Sequence, residues 1–242
     1  MFDEAGAGPL PRGFAYHATS RGLRRLLEAS DEVVRTKALS LEELFKLVRA
    51  LDPTLPNDLC FGSQLLLAFV FALRTEDHCT GKLRWGDIIF ERDGSVSVFF
   101  PPGKNSRSFR KAAACRREDD LDLSSWLRAL AAVLPPSAKT CSSPVFVSFE
   151  FGAGGVRLFP TVTSFQFIGR FRSLVRSVLG KDPTLYAGYS LRRGAATEFI
   201  KKGVPLPVIK AHVGWSPSST AIFSYYDHGD PSQMKLASEA LV

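Results

Sequence analysis

The longest apolar run of the chain, nine residues from Leu65 to Leu73, constrains its fold more than any other feature. A bilayer span needs about 20 apolar residues, so this run is too short to cross a membrane. It lies within a helical pattern, from about Asp58 to Asp77, that is apolar on almost every side. A helix without a polar face must be covered by other elements, and we therefore predict that this helix lies at the centre of the fold.

Composition excludes several classes of protein. With 242 residues, the chain is long enough to bury a core without disulfides or metal. A hydrophobic fraction of 45% and a charged fraction of 23% exclude a disordered tail and a polytopic membrane protein. The net charge of +7 favours a polyanionic partner. The cysteines are irregularly spaced, which predicts reduced thiols of an intracellular protein rather than a zinc site; they are Cys60, Cys79, Cys115 and Cys141.

The remaining periodicity predicts a helical domain with a small sheet. Ser40 followed by Glu43 forms a capping box that opens a helix, which Pro53 and Pro56 should end. After Gly81 the apolar period changes to two, which predicts a strand around residues 96–100. Further helices are expected at 121–134, 164–179, 190–202 and 205–212, with irregular chain over 135–160. This order predicts an α+β fold that is mostly α-helical with a small antiparallel β-sheet.

The densest functional signal lies near the C-terminus, between Gly188 and His228. Ser190 can cap a helix whose first turn holds Arg192 and Arg193, and helix N–H groups beside guanidinium groups attract anions. An amphipathic helix with two solvated arginines fits the same residues equally well. This segment alone leaves both interpretations open.

The sequence SLRRGAATEFIKKGVPLPVIKAHVGW, followed by a Tyr-Tyr pair, resembles the catalytic domain of tyrosine recombinases, the phage integrase-like site-specific recombinases. That family carries an H/Y/K-x-x-R motif, then a Gly-His or Gly-Trp step, then a nucleophilic tyrosine roughly nine residues later. Upstream segments resemble further parts of the family in the same order: KALSLEELFKLVRAL, LLLAFVFALRTED, LRWGDI, and SVSVFF with PPGKNS. The resemblance covers about residues 35–230 and implies a tyrosine recombinase catalytic-domain fold of mobile-element type.

The resemblance also implies DNA strand transfer through a 3′-phosphotyrosine intermediate, without metal or other cofactor. The implied catalytic set is Arg74, Lys104, Tyr189, Arg192, Trp215, Tyr225 and Tyr226, with Asp77 and His212 in support. The two arginines would hold the phosphate oxygens, and Lys104 would protonate the leaving 5′ oxygen. Tyr189 and Trp215 would donate hydrogen bonds to the phosphate. For His212, packing in the core is the favoured interpretation.

The position of the tyrosine departs from the family pattern. Tyr225 lies ten residues after Trp215 and Tyr226 eleven. Tyr225 needs the smaller insertion and is narrowly favoured as the nucleophile, whereas Tyr226 fits a Tyr-x-His ending through His228. A catalytically inactive DNA-binding remnant of a mobile element is the alternative to an active enzyme.

Basic residues implied to contact double-stranded DNA are concentrated after Gly103, where residues 104–117 hold six basic side chains and no acid. The proposed DNA contacts are Arg107, Arg110, Lys111, Arg116, Arg117 and Arg193. The resemblance further implies dimers or tetramers on DNA and no membrane partner. The expected location is intracellular: the nucleus of a eukaryote, or the cytoplasm or nucleoid of a bacterial or viral system.

We expect three segments along the chain. Residues 1–34 should form a disordered N-terminus and a connecting helix, the remnant of a linker from the separate core-binding domain that the family usually carries. Residues 35–230 should form the catalytic domain, and residues 231–242 a C-terminal tail.

Overall fold

The computed structural model describes residues 36–100, 110–114, 121–152, 155–159 and 162–220. The expected N-terminal segment and C-terminal tail lie outside these residues, so the three-segment division stays a prediction. The helices are α1 (Leu41–Arg49), α2 (Pro56–Val70), α3 (Thr75–His78), α4 (Leu123–Val133), α5 (Ser164–Leu179), α6 (Gly188–Lys201) and α7 (Leu206–Val213). The strands are β1 (Ile88–Phe90), β2 (Val96–Phe100), β3 (Arg110–Ala114), β4 (Ser148–Gly152) and β5 (Gly155–Phe159). The predicted mostly helical α+β fold with a small antiparallel sheet is confirmed.

The first helix begins at the predicted capping box. The Ser40 hydroxyl accepts a hydrogen bond from the Glu43 N–H at 3.1 Å, and the Glu43 carboxylate accepts one from the Ser40 N–H at 2.8 Å. The helix ends at Arg49, before either proline. Pro56 was expected to end α1 but instead opens α2, because the first turn of a helix has no partner for the N–H that proline lacks.

Helix α2 is the central helix of the described fold, as predicted: every residue from Leu59 to Phe69 is buried. The prediction that it continues to Asp77 is wrong. The Leu73 N–H donates to the Ala68 carbonyl at 2.8 Å and the Ala72 N–H to the Phe69 carbonyl at 2.9 Å, which closes the helix end. Ala72 has a left-handed backbone with φ of 48°, a conformation that alanine rarely adopts and that the sequence does not signal.

The larger sheet has the order β1-β2-β3 and is antiparallel throughout. Strand β2 confirms the predicted strand, and residues 101–109 join it to β3. The second sheet is the hairpin of β4 and β5, which corrects the prediction of irregular chain over 135–160. Gly152 and Gly155 pair with each other at the end of these strands, so glycines that predict a flexible connection here belong to the sheet. The Asn57 side chain fixes the hairpin to α2, since it accepts from the Phe149 N–H at 2.9 Å and donates to the Phe149 carbonyl at 2.8 Å.

Helix α6 packs against α2 and against the chain that enters α1. The Leu39 N–H donates to the Ser190 carbonyl of α6 at 3.0 Å, and the Lys37 N–H donates at 2.7 Å to the carbonyl of Leu185, which precedes α6. Gly194 allows this approach, because a Cβ atom there would lie 1.8 Å from the Leu39 carbonyl oxygen. Among the residues that the structure describes, no helix combines the length and apolar character needed to cross a bilayer.

Candidate functional site

Arg192 lies on the buried face of α6 with only 1% of its surface exposed. Its Nη1 donates a hydrogen bond of 2.7 Å to the Ala72 carbonyl at the end of α2. The interpretation of Arg192 as a solvated residue of an amphipathic helix is therefore wrong. The expected cap is also wrong: α6 begins at Gly188, and Ser190 is its third residue, whose hydroxyl accepts from the Ala187 N–H at 3.1 Å.

The N-terminus of α6 lies against the segment that follows Arg74. A Cβ atom on Gly188 would lie 1.6 Å from the Thr75 hydroxyl, so any other residue here would force the Thr75 side chain to move. Arg74 itself is exposed, and its backbone N–H donates to the Asp77 carboxylate at 3.0 Å. Tyr189 follows Gly188 and is 47% exposed. This contact therefore brings the chain at Arg74 beside the helix that carries Tyr189 and Arg192.

The end of α7 places Trp215 over Arg192. Gly214 adopts a left-handed backbone with φ of 74°, which turns the chain so that the Trp215 N–H donates to the Lys210 carbonyl at 2.8 Å. The Lys210 ammonium donates to the Pro217 carbonyl at 2.7 Å and closes the turn. The Arg192 guanidinium carbon lies 5.5 Å from the Trp215 ring centroid, within the range of a cation–π interaction.

His212 is half-buried and connects α7 to α2. Its Nε2 lies 2.8 Å from the Val70 carbonyl oxygen, and because a carbonyl only accepts, this nitrogen carries the proton. The imidazole stacks on Phe71, with centroids 6.1 Å apart, and meets the Phe199 ring edge-on at 5.1 Å.

The structure thus brings together the segments of four predicted site residues: Arg74, Tyr189, Arg192 and Trp215. Arg193 follows on α6 and is half-buried. Arg110 and Lys111 lie on β3, opposite Phe100 and Phe99 of β2. The other predicted site residues lie outside the described residues: Lys104, Arg107, Arg116, Arg117, Tyr225 and Tyr226.

The described cysteines and histidines outside the site are not arranged to bind metal. Over the described ranges, no group of three or more His, Cys, Asp or Glu side chains could hold a metal ion. Cys60 and Cys79 are buried, which raises the pKa of each thiol to about 12, whereas Cys141 is exposed. His78 is buried, its Nδ1 lies 3.0 Å from the Gln64 amide nitrogen, and burial lowers its pKa to about 3.

Sequence reasoning missed the backbone groups that assemble this site, namely the Ala72 carbonyl and the contact of Gly188 with Thr75. Every residue has a backbone carbonyl, so the sequence cannot indicate which carbonyl binds Arg192. Only Gly188, a small residue at a helix start, could have indicated a close contact.

Solved structures with a similar architecture include site-specific recombinases and integrases. XerA recombinase superposes with a TM-score of 0.60 at 16% identity, covering 85% of this chain and 65% of that one. XerH recombinase, in a post-cleavage complex with its difH substrate, gives 0.58 at 15% identity, covering 84% and 52%. A lambda integrase dimer bound to a core site gives 0.54 at 20% identity, covering 81% and 49%.

The chain has the fold of the tyrosine recombinase catalytic domain. It spans about half the length of the XerH and lambda integrase chains. No protein-family model matches the sequence, and no curated protein matches it either. The tyrosine recombinase fold therefore rests on three-dimensional similarity, together with the order of the motifs along the chain.

Proposed function

We propose that the chain breaks and rejoins double-stranded DNA as a tyrosine recombinase, through a covalent 3′-phosphotyrosine intermediate. One observation carries the proposal: on this fold, the segments bearing Arg74, Tyr189, Arg192 and Trp215 meet at the end of α2. The chain order of these residues is that of the family motifs, although the contacts that join them were not part of the sequence pattern.

The two arginines would bind the scissile phosphate. The Arg192 guanidinium donates a hydrogen bond to the Ala72 carbonyl and faces the Trp215 ring. These two contacts orient the guanidinium before DNA binds. A buried cation interacts with a phosphate more strongly than a solvated one because less water screens the charge. Arg74 is exposed and would complete the grip on the non-bridging oxygens, where negative charge grows in the transition state.

The chemistry needs no external energy. The hydroxyl oxygen of Tyr225 or Tyr226 would attack phosphorus and release its proton to solvent, while the bond from phosphorus to the 5′ oxygen breaks. The Lys104 ammonium would protonate that leaving oxygen. Tyr189 and Trp215 would donate hydrogen bonds to the phosphate. Because the phosphodiester is exchanged for a phosphotyrosine ester, a 5′ hydroxyl can reverse the reaction and rejoin the strand.

The basic side chains that we propose as DNA contacts would supply affinity for the DNA backbone. Arg110 and Lys111 on β3 and Arg193 on α6 belong to this set, together with Arg107, Arg116 and Arg117. Their contribution should fall as salt rises, because each phosphate contact releases bound counterions. Dimers or tetramers on DNA are part of the same proposal, as is an intracellular location: the nucleus of a eukaryote, or the cytoplasm or nucleoid of a bacterial or viral system.

A pool of nicked duplexes with randomised sequence tests this proposal without knowledge of the target site. A cut beside the nick releases a short fragment that cannot rejoin, so the protein–DNA adduct accumulates and survives denaturing electrophoresis. We expect an adduct with the parent protein and none with Arg192→Ala. One of the two substitutions Tyr225→Phe and Tyr226→Phe should also abolish the adduct, and this one identifies the nucleophile. Tyr186→Phe is the matched control, because Tyr186 is a buried tyrosine that has no proposed catalytic role.

The second candidate is a DNA-binding protein without catalysis. The ten- or eleven-residue spacing from Trp215 to the tyrosines favours it, since it departs from the family's roughly nine. Salt-sensitive DNA binding that survives Arg192→Ala, with no adduct from any member of the pool, would support this candidate and refute the enzyme.

A further inference from the structure

Two carbonyl groups at the end of α2 each receive a side-chain hydrogen bond from a different helix. The Val70 carbonyl accepts from His212 on α7 at 2.8 Å, and the Ala72 carbonyl accepts from Arg192 on α6 at 2.7 Å. Arg74 follows two residues after Ala72. The last carbonyls of a helix have no partner within the helix, so they are available to bind neighbouring elements.

The His212 ring contacts two aromatic rings, in addition to the hydrogen bond that its Nε2 makes. Phe71, from the end of α2, stacks on one side at an interplanar angle of 26°, and Phe199, from α6, meets it edge-on at 81°. His212 therefore contacts both α2 and α6 while belonging to α7. The hydrogen bond and the two ring contacts together favour this rotamer of His212.

From this geometry we infer that His212 is a positioning residue for the proposed strand-transfer site, which deepens the proposed function and rests on it. His212 holds the end of α7 against the end of α2. The turn after α7 carries Trp215, which faces the Arg192 guanidinium at 5.5 Å. His212 thereby keeps Trp215, Arg192 and the start of the Arg74 segment in register without touching the DNA.

Two substitutions separate the hydrogen bond from the packing. His212→Phe keeps an aromatic ring that can contact Phe71 and Phe199 but removes the donor, whereas His212→Gln restores an N–H at a similar reach. We expect His212→Phe to slow single-turnover adduct formation roughly tenfold, the size of one lost hydrogen bond to a partly buried carbonyl. Affinity for uncleaved DNA should stay within about twofold, and His212→Gln should recover most of the rate.

Val175→Ala is the control for a purely structural effect. Val175 is fully buried on α5, so its truncation lowers stability without removing the His212 hydrogen bond. All variants are assayed well below their melting temperatures. The inference is overturned if His212→Phe cleaves at the parental rate, if His212→Gln is as slow as His212→Phe, or if Val175→Ala is equally slow.

Hydrogen–deuterium exchange gives a readout that does not depend on activity. We expect His212→Phe to accelerate exchange about tenfold in both 71–78 and 206–215, with His212→Gln close to the parent. Unchanged exchange in either segment would overturn the inference. If the parent protein forms no adduct but the variants show this exchange pattern, the proposed enzyme activity is refuted. The positioning of α7 by His212 is then still supported.

Discussion

Two glycines lie inside helices in opposite surroundings, and alanine should change the stability of the protein in opposite directions at the two sites. Gly169 of α5 has no atom within 4 Å of the position that a Cβ would take. At Gly194 of α6, that position is 1.8 Å from the Leu39 carbonyl oxygen and 2.9 Å from the Phe69 ring. Helix propensity alone favours alanine at both positions by about 1 kcal/mol.

At Gly194 the clash outweighs the propensity. A real Cβ does not come closer than 3.0 Å, so α6 and the Leu39 segment must separate by about 1.2 Å. That movement lengthens the bond from the Leu39 N–H to the Ser190 carbonyl, which starts at 3.0 Å. Overpacking of this kind costs about 3 kcal/mol at its upper end, which leaves a net loss of about 2 kcal/mol after the propensity gain.

Chemical denaturation of the parent, Gly169→Ala and Gly194→Ala measures both effects. We expect Gly169→Ala to raise the free energy of unfolding by about 1 kcal/mol and Gly194→Ala to lower it by about 2 kcal/mol. Because α6 carries Arg192, Gly194→Ala should also slow adduct formation, by up to about 100-fold for a displacement near 1 Å. A Gly194→Ala protein as stable as the parent would refute the reasoning, since it would show that the contact with Leu39 is not tight.

Three further predictions concern single positions. The pKa of His78 in the folded protein is lowered to about 3, so between pH 6.5 and pH 3 only the unfolded chain protonates this imidazole. The free energy of unfolding should therefore fall on acidification through that range, by up to about 1.4 kcal/mol per pH unit. His78→Gln should reduce this dependence on pH, measured by urea denaturation at several pH values. Thr80 has a left-handed backbone with φ of 62°, so Thr80→Gly should raise the free energy of unfolding by about 1 kcal/mol, and a decrease would contradict the assigned strain. Phe165 is 88% exposed, whereas Phe167 on the same helix is fully buried. Phe167→Ala should lower the free energy of unfolding by about 3–5 kcal/mol and Phe165→Ala by less than about 0.5 kcal/mol. Equal losses in chemical denaturation would show that the buried face of this helix is wrongly assigned.

The elements that the sequence predicted well are those whose signals lie within a few residues of each other. The capping box of Ser40 and Glu43 starts α1 in the structure as it does in the pattern. The apolar residues of α2 have no polar face, so their central position follows from composition alone. The order of the recombinase-like motifs along the chain also required no coordinates.

Other features depended on partners that are distant in sequence. Helix α2 stops at Val70 because the chain turns through a left-handed Ala72, whose carbonyl binds an arginine 120 residues later. The start of α6 packs closely on Thr75 because Gly188 has no Cβ atom to collide with the Thr75 side chain. A helical pattern read from neighbouring residues contains neither contact, so it extended α2 too far and began α6 two residues late.

The sequence by itself therefore determined the fold class, the central helix and the residue types available for phosphate chemistry. Only the tertiary structure decided that Arg192 is buried, that its guanidinium is held by a backbone carbonyl, and that His212 links α7 to α2. Caps and periodicity are local interactions, which the sequence states directly. Burying a charge is favourable only when hydrogen-bonding groups from other elements surround it, and those groups are assembled by the fold.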